Sequence, residues 1–334
     1  MKAGRITVLK PGALTALQDL GRYGHQRDGV VVGGAMDEWS HRFANALVGN
    51  PEDEATLEIT LTGPTLRMDT AVELAVCGAD LSPQVDGRDG AHTLPIGRPV
   101  VLRPGTQLRF GERRTGARAY LSVRGGFDVP PVMGSRSTYV RGGFGGFEGR
   151  ALEKGDVLRL RGGPGPGPDG GASGDSMIVL PTPIVATEVA IAPVQTIRII
   201  AGRQWSEFTA RARTLLLETT WRIGAQSDRM GYRLEGPTLE RVEPRELISA
   251  AVTFGTVQVP NDGKPIILMA DRQTTGGYPR IASVASVDLR LLAQMAAPQA
   301  LRFQLLTLEE AQRIYLARER EYSHVRQVLE QDRA

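Results

Sequence analysis

Apolar and polar residues alternate with a period of two along most of the chain, and glycine or proline breaks the pattern every ten residues or so. Leu57-Glu58-Ile59-Thr60-Leu61, Val72-Glu73-Leu74-Ala75-Val76 and Leu301-Arg302-Phe303-Gln304-Leu305 each set their apolar side chains on one face of a strand. Pro265 to Ala270 is apolar without interruption, which predicts a strand buried on both faces. Many short strands with Gly- and Pro-rich turns predict a mainly β protein with a few helices, built from barrels or sandwiches.

Four helices stand out against this background. Asp37 is placed to cap one whose Trp39, Phe43, Ala46 and Leu47 share a face and which ends at Gly49-Asn50-Pro51. Ser206 is expected to cap a second, with Phe208, Ala212 and Leu216 inward, and Asp288 to begin a third, with Leu291, Leu292 and Met295 buried. Thr307-Leu308-Glu309-Glu310 reads as a capping box that opens a fourth, whose charged last two turns are expected to fray.

Composition changes this picture at one place. Arg161 to Ser176 is so rich in Gly and Pro that neither helix nor strand can persist, and it has almost nothing apolar to bury. The expected division is 1–190 as an N-terminal β-rich subdomain ending in the 161–176 loop, 191–306 as a second, and 307–334 as a C-terminal helix and tail. Gly63-Pro64-Thr65-Leu66 recurs as Gly236-Pro237-Thr238-Leu239, a hint of two related halves.

Charge and cysteine content exclude several classes of function. The net charge is +3, and Lys and Arg are spread along the whole chain without aromatic interleaving, so no nucleic-acid partner is expected. No apolar run approaches a membrane span, and Met1 to Pro11 lacks the apolar core of a signal peptide. One cysteine, Cys77, permits no intrachain disulfide and suits the reducing cytoplasm. It follows an alternating strand and reads as a small core residue. His25, His41, His92 and His324 show no ligand spacing, so no metal site is expected.

The richest chemistry lies in Gln258 to Ser283. At the end of the apolar run stand Asp271, Arg272, Gln273, Thr274 and Thr275, then Gly276, Gly277 and Tyr278. An acceptor, a fixed cation, an amide and two hydroxyls are presented from a rigid strand end, and the glycine pair lets backbone N–H groups approach a ligand. A functional site, with Gln258 in the same segment, is favoured over an Asp271–Arg272 ion pair beside a plain turn. Asp228 and Arg229, in Ser227 to Pro237, either hold a carboxylate or form a surface ion-pair cluster, and the two readings stand even. Gln18, Asp19 and Arg22 offer a similar set, with a structural turn and a buried Arg–Asp pair slightly favoured. Gly134 to Tyr139 and Arg141 to Arg150 read as a sharply bent loop able to move as a lid. No Walker A, G-x-G-x-x-G, G-x-S-x-G or H-E-x-x-H motif is present, so no nucleotide site is located in this chain.

Taken in order, QDLGR at 18–22, GAMD at 34–37, ANALVGNP at 44–51, LEITLTGP at 57–64, GSRSTY at 134–139, GGFGGFEGRAL at 142–152, SDRMGYRLEGP at 227–237 and QVPNDGKPIILMADRQTTGGYPRIA at 258–282 resemble the carboxyltransferase A/B family. The resemblance runs from about Ile6 to Leu306. It implies cyclophilin-like β-barrel architecture, an A-type and a B-type subdomain, and a partner of the carboxyltransferase C/D type, the B subunit of 5-oxoprolinase. One activity it implies is ATP-dependent opening of 5-oxoproline to glutamate, as the C subunit of a complex with A and B subunits. Another is carboxyl transfer between carboxybiotin and urea or a related amide, for which this chain lacks an A-M-K-M-type biotinylation segment. A third is non-catalytic regulation through a kinase inhibitor. On the first reading, Asp271 would accept an amide N–H, Gln273 or Arg272 would donate to the carbonyl, and Arg229 or Arg272 would hold the substrate carboxylate.

Overall fold

The computed structural model describes residues 4–88, 90–162, 176–182, 190–243 and 245–333. Most of the Gly/Pro loop expected at 161–176 lies outside the described residues. The chain is mainly β, and it divides into two compact units. One comprises Met1–Gly21, Asp37–Ala190 and Ser323–Ala334; the other comprises Arg22–Met36 and Ile191–Tyr322.

The first unit contains two six-stranded sheets. One has the spatial order Val157–Leu160, Gly4–Lys10, Thr65–Met68, Gln107–Arg109, Gln84–Gly87, Gly90–Thr93. The other runs Met177–Val179, Pro99–Leu102, Val72–Asp80, Thr115–Val123, Thr56–Thr60, Leu14–Gln18. Leu57, Ile59, Leu74, Val76, Leu121 and Val123 belong to the core with Ile6, Val8, Leu66 and Leu108. On the opposite face of these strands Thr56, Glu58, Glu73, Cys77, Tyr120 and Ser122 are buried as well. Helix α1, Glu38–Leu47, lies across that face.

A polar layer therefore forms where the helix meets the sheet. Asp37 caps α1 by accepting from Ser40 N at 3.1 Å and Ser40 Oγ at 2.7 Å, as expected. Tyr120 OH donates to Glu58 at 2.8 Å and accepts from Asp37 N at 2.8 Å. Ser122 Oγ donates to Asn45 Oδ1 at 2.6 Å. His41 lies 3.1 Å from the Glu52 carbonyl through Nε2 and 2.9 Å from Thr56 Oγ through Nδ1. The carbonyl can only accept, so Nε2 carries the proton and Nδ1 accepts from Thr56.

The second unit is built on a closed barrel of seven strands, in the order Val194–Ala201, Arg280–Val284, Thr256–Gln258, Ile266–Leu268, Gly231–Glu235, Trp221–Ile223, Ala300–Leu306. Val194–Ala201 and Ala300–Leu306 close it in parallel. Closure removes the exposed edges that so many short strands would otherwise carry. Helix α2, Ala210–Glu218, is capped by Thr209 and not by Ser206, because Trp205–Glu207 forms a separate 3₁₀ turn; Phe208, Ala212 and Leu216 are buried as expected. Asp288 precedes α3, Leu289–Ala293, but its carboxylate binds Arg198 and does not cap the helix. Leu292 and Met295 are buried, while Leu291 is half-buried. Helix α4, Leu308–Arg333, opens with the expected box: Glu310 accepts from Thr307 N at 2.8 Å and Glu310 N donates to Thr307 Oγ at 3.2 Å. It stays helical to Arg333, and Leu329 is buried in its last turns.

The repeated Gly-Pro-Thr-Leu has one shared physical cause. A Cβ on Gly63 would stand 2.5 Å from the side chain of Phe110, and one on Gly236 would stand 2.5 Å from the ring of Trp221. Each glycine lets a strand pass directly over an aromatic side chain in its own unit.

Burial of His41 has a consequence for stability. Desolvation lowers its pKa to about 4, against 6.5 for a free imidazole, so the folded chain holds it neutral while the unfolded chain protonates it. The unfolded state thus binds more protons between these values, and stability falls as pH drops from 6.5 towards 4, by up to roughly 3 kcal/mol. Urea unfolding of wild type across pH 7 to 5 is expected to show this slope, and His41→Gln should flatten it.

Candidate functional site

The apolar run predicted to form a buried strand does so. Ile266–Leu268 lies between Gly231–Glu235 and Thr256–Gln258, and Ile267, Met269 and Ala270 enter the barrel core. The chain leaves this strand at Asp271, which is 7% exposed. Its partner is Arg229, not Arg272. Arg229 Nε donates to Oδ2 at 2.8 Å and Nη2 to Oδ1 at 3.0 Å, a bidentate pair, and Nη2 also donates to the Gly34 carbonyl at 2.7 Å. Backbone bonds continue the attachment, from Asp271 N to Arg229 O at 2.8 Å and from Met269 N to Met230 O at 2.9 Å.

The structure thus joins two segments that the sequence left apart, 227–231 and 269–271. Asp228 and Arg229, adjacent in sequence, take different places in it. Arg229 is buried, and Asp271 is the carboxylate it holds. Asp228 is exposed and accepts from Met230 N at 2.8 Å and Gly231 N at 3.2 Å, a turn-forming role. Arg272 bends back, its guanidinium 3.4 Å from the Met269 carbonyl, 3.3 Å from that of Ala270 and 5.9 Å from the Phe254 ring centroid.

Beyond Arg272 the chain forms a short ribbon over the barrel. Thr275–Gly276 pairs with Ala250–Ala251, and the Thr274 carbonyl accepts from Val252 N at 3.1 Å. Arg280 Nη1 donates to the Ala251 carbonyl at 2.9 Å and fastens the ribbon to the strand below. Val257 points into the barrel core, so Gln258 faces the other way, and it is 3% exposed. Its Oε1 has no hydrogen-bond partner. Gln273 closes on the same region: the position a Cβ would take on Gly276 lies 3.2 Å from Gln258 Oε1 and 3.5 Å from Gln273 Nε2. Gly277 and the exposed Tyr278 line a cleft of about 710 Å³, together with Thr238, Arg241, Arg245 and Asn261. Sequence inspection missed Arg241 and Arg245, which share Glu207 at 2.8 and 3.0 Å, because their association depends on a bridge from Arg241 to Phe208 across the fold.

In the first unit, Asp19 is an internal hub. Its carboxylate accepts from Ser135 Oγ at 2.7 Å, Ser137 Oγ at 2.6 Å, Arg136 N at 2.5 Å and Gly21 N at 2.8 Å. Three of these donors meet Oδ1 and one meets Oδ2, and together they organise 134–138 around the carboxylate. Gln18 Nε2 donates to the Thr138 carbonyl at 3.1 Å, and its buried Oε1 has no hydrogen-bond partner. Arg22 is fully buried and belongs to the second unit. The glycine-rich loop expected to move is folded onto itself: Tyr139 and Phe144 exchange backbone bonds and stack edge to face at 5.6 Å, and Arg150 binds Asp156 at 2.8 and 2.9 Å.

The Arg229–Asp271 pair is the member of this site most exposed to mutation. Removing either partner strands a buried charge, and each of Arg229→Ala and Asp271→Ala is expected to cost about 3–5 kcal/mol. Denaturant titration of both single variants and the double variant should give a double loss smaller than the sum of the singles by about 1–3 kcal/mol.

Comparison with known proteins places this geometry in a lineage. The pattern of the carboxyltransferase domain, subdomain A and B, matches residues 28–305. The C subunit of 5-oxoprolinase from Escherichia coli strain K12 is 38% identical over 306 residues, covering 92% of this chain and 93% of that protein. That of Haemophilus influenzae is 35% identical, covering 98% and 99%. The crystal structure of the K. lactis urea amidolyase superposes with a TM-score of 0.84 at 29% identity, over 97% of this chain and 20% of that much longer one. On this sequence and structural agreement, the chain belongs to the carboxyltransferase family defined by subdomains A and B.

Proposed function

We propose that the chain acts as the C subunit of an ATP-dependent 5-oxoprolinase, opening the lactam of 5-oxoproline to give glutamate together with the A and B subunits, the latter of the carboxyltransferase C/D type. The observation that carries this reading is the extent of the match: two proteins named as the C subunit of 5-oxoprolinase align over nearly their whole length and nearly all of this chain. Urea amidolyases align over a fifth or less of theirs. The complex works in the cytoplasm, in keeping with a single buried cysteine and with no helix among the described residues long and apolar enough to cross a membrane.

A lactam presents a planar N–C=O unit, and opening it builds negative charge on the carbonyl oxygen. Donors aimed at that oxygen lower the barrier to attack of water on the carbonyl carbon. We assign that role to Gln273, at the mouth of the buried strand, with Thr274, Thr275 and the Gly276–Gly277 backbone around it, while Arg272 is folded back onto the Met269 and Ala270 carbonyls. Asp271 holds Arg229 and so fixes the strand end from which Gln273 projects. ATP supplies the driving force when bound, and its site is assigned to a partner chain or its interface with this one.

Superposition on the urea amidolyase supports a second reading, biotin-dependent carboxyl transfer to urea or a related amide. The two are separated by reconstitution. The chain is expected to support ATP-dependent glutamate formation from 5-oxoproline only with the A and B subunits present, and omission of this chain should abolish it. Turnover that requires biotin or a biotinylated carrier would favour the second reading.

A further inference from the structure

The ribbon over the barrel is too slight to fix its own position. Thr275–Gly276 pairs with Ala250–Ala251, two residues on each side, and one further backbone bond runs from Val252 N to the Thr274 carbonyl at 3.1 Å. An isolated pair of strands is marginal in water even when longer than this. Of residues 250–252 and 274–276, only Val252 is buried. Yet Gln273 leans on the ribbon. Its Nε2 lies 3.5 Å from the position a Cβ would take on Gly276, an ordinary packing distance, so the place of the ribbon sets the place of this amide.

Arg280 ties the ribbon down. It opens the barrel strand Arg280–Val284, and its Nη1 donates to the Ala251 carbonyl at 2.9 Å. The strand end is itself gripped by 202–204, through bonds from Gly202 N to the Ile281 carbonyl at 2.8 Å and from Gln204 N to the Arg280 carbonyl at 3.1 Å. Gly202 permits this approach, since a Cβ there would stand 2.4 Å from the Arg280 carbonyl oxygen. Gln204 is 7% exposed, and its Oε1 accepts from Arg280 N at 3.2 Å and from Arg280 Nε at 3.4 Å. A buried amide thus orients the guanidinium, and the guanidinium reaches out to the ribbon. The planar fork of arginine serves both contacts at once, Nε towards Gln204 and Nη1 towards Ala251, where a lysine ammonium offers a single point.

We propose that Arg280, braced by Gln204, is a positioning residue for amide opening, and that it holds the ribbon where Gln273 stays aimed at the substrate carbonyl. The proposal rests on the 5-oxoprolinase reading and on the role assigned there to Gln273, and it places no contact between Arg280 and substrate. A donor misplaced by about 1 Å can cost about a hundredfold in rate. The bond from Arg280 to Ala251 lies at the surface, so its loss leaves the barrel core intact.

Arg280→Ala, Arg280→Lys, Gln273→Ala and the double variant Arg280→Ala/Gln273→Ala are to be compared with wild type in the reconstituted complex of all three chains. Arg280→Ala is expected to lower kcat for glutamate formation by about tenfold to a hundredfold, with KM within about twofold and the melting temperature nearly unchanged. Arg280→Lys should fall between it and wild type. Because Arg280 acts through Gln273, the double variant should be no slower than Gln273→Ala alone. A wild-type kcat in Arg280→Ala would overturn the proposal. So would losses that multiply in the double variant, or losses in both Arg280 variants that follow a fall in melting temperature.

If the wild-type complex makes no glutamate, the 5-oxoprolinase reading fails separately. The clamp is then judged by hydrogen–deuterium exchange in the same complex. Faster exchange of 250–252 and 274–277 in Arg280→Ala, with the barrel strands Val194–Ala201 and Ala300–Leu306 unchanged, sustains it. Unchanged exchange in the ribbon overturns it.

Discussion

The bidentate pair between Arg229 and Asp271 holds the candidate site in place. Both charges are buried, and taking them out of water is costly unless geometry and further hydrogen bonds compensate. Here they do. Two charge-assisted bonds of 2.8 and 3.0 Å are joined by a third from the same guanidinium to the Gly34 carbonyl, and backbone bonds on either side keep the two segments aligned. The pair therefore does more than neutralise charge. It ties the end of the central barrel strand to the turn before Gly231–Glu235 and to the segment around Gly34, so residues 272–278 leave the barrel from a fixed point. Arg272, folded against the carbonyls of Met269 and Ala270 and the face of Phe254, extends that rigidity by one more residue.

A carboxylate as internal hub recurs in the first unit, where Asp19 gathers four donors and pins 134–138. The layer under α1 follows the same logic with mostly neutral partners, His41, Asn45, Thr56, Tyr120 and Ser122, around Asp37 and Glu58, and with the buried Arg118 guanidinium 3.7 Å from Glu58. Burial also raises the Tyr120 pKa, so its hydroxyl remains a donor to Glu58 at any pH the fold survives. In each hub the carboxylate gathers donors from segments far apart in sequence and fixes them against one another.

This explains how far the sequence could be read. Strand content, the capping of α1 by Asp37, the Thr307 box of α4 and the buried strand ending at Asp271 all follow from local pattern, since each depends on residues within a few positions. The segment carrying the candidate site was legible for the same reason: five polar side chains directly after a buried strand are conspicuous. What was not legible depends on distance in sequence. Nothing near Asp271 indicates that its partner lies 42 residues earlier, and the neighbouring Arg272 was the natural guess. Nothing in Leu57-Glu58-Ile59 reveals that a helix will cover the polar face. The capping error at Ser206 is of another kind, since a 3₁₀ turn intervened and passed the role to Thr209 three residues on.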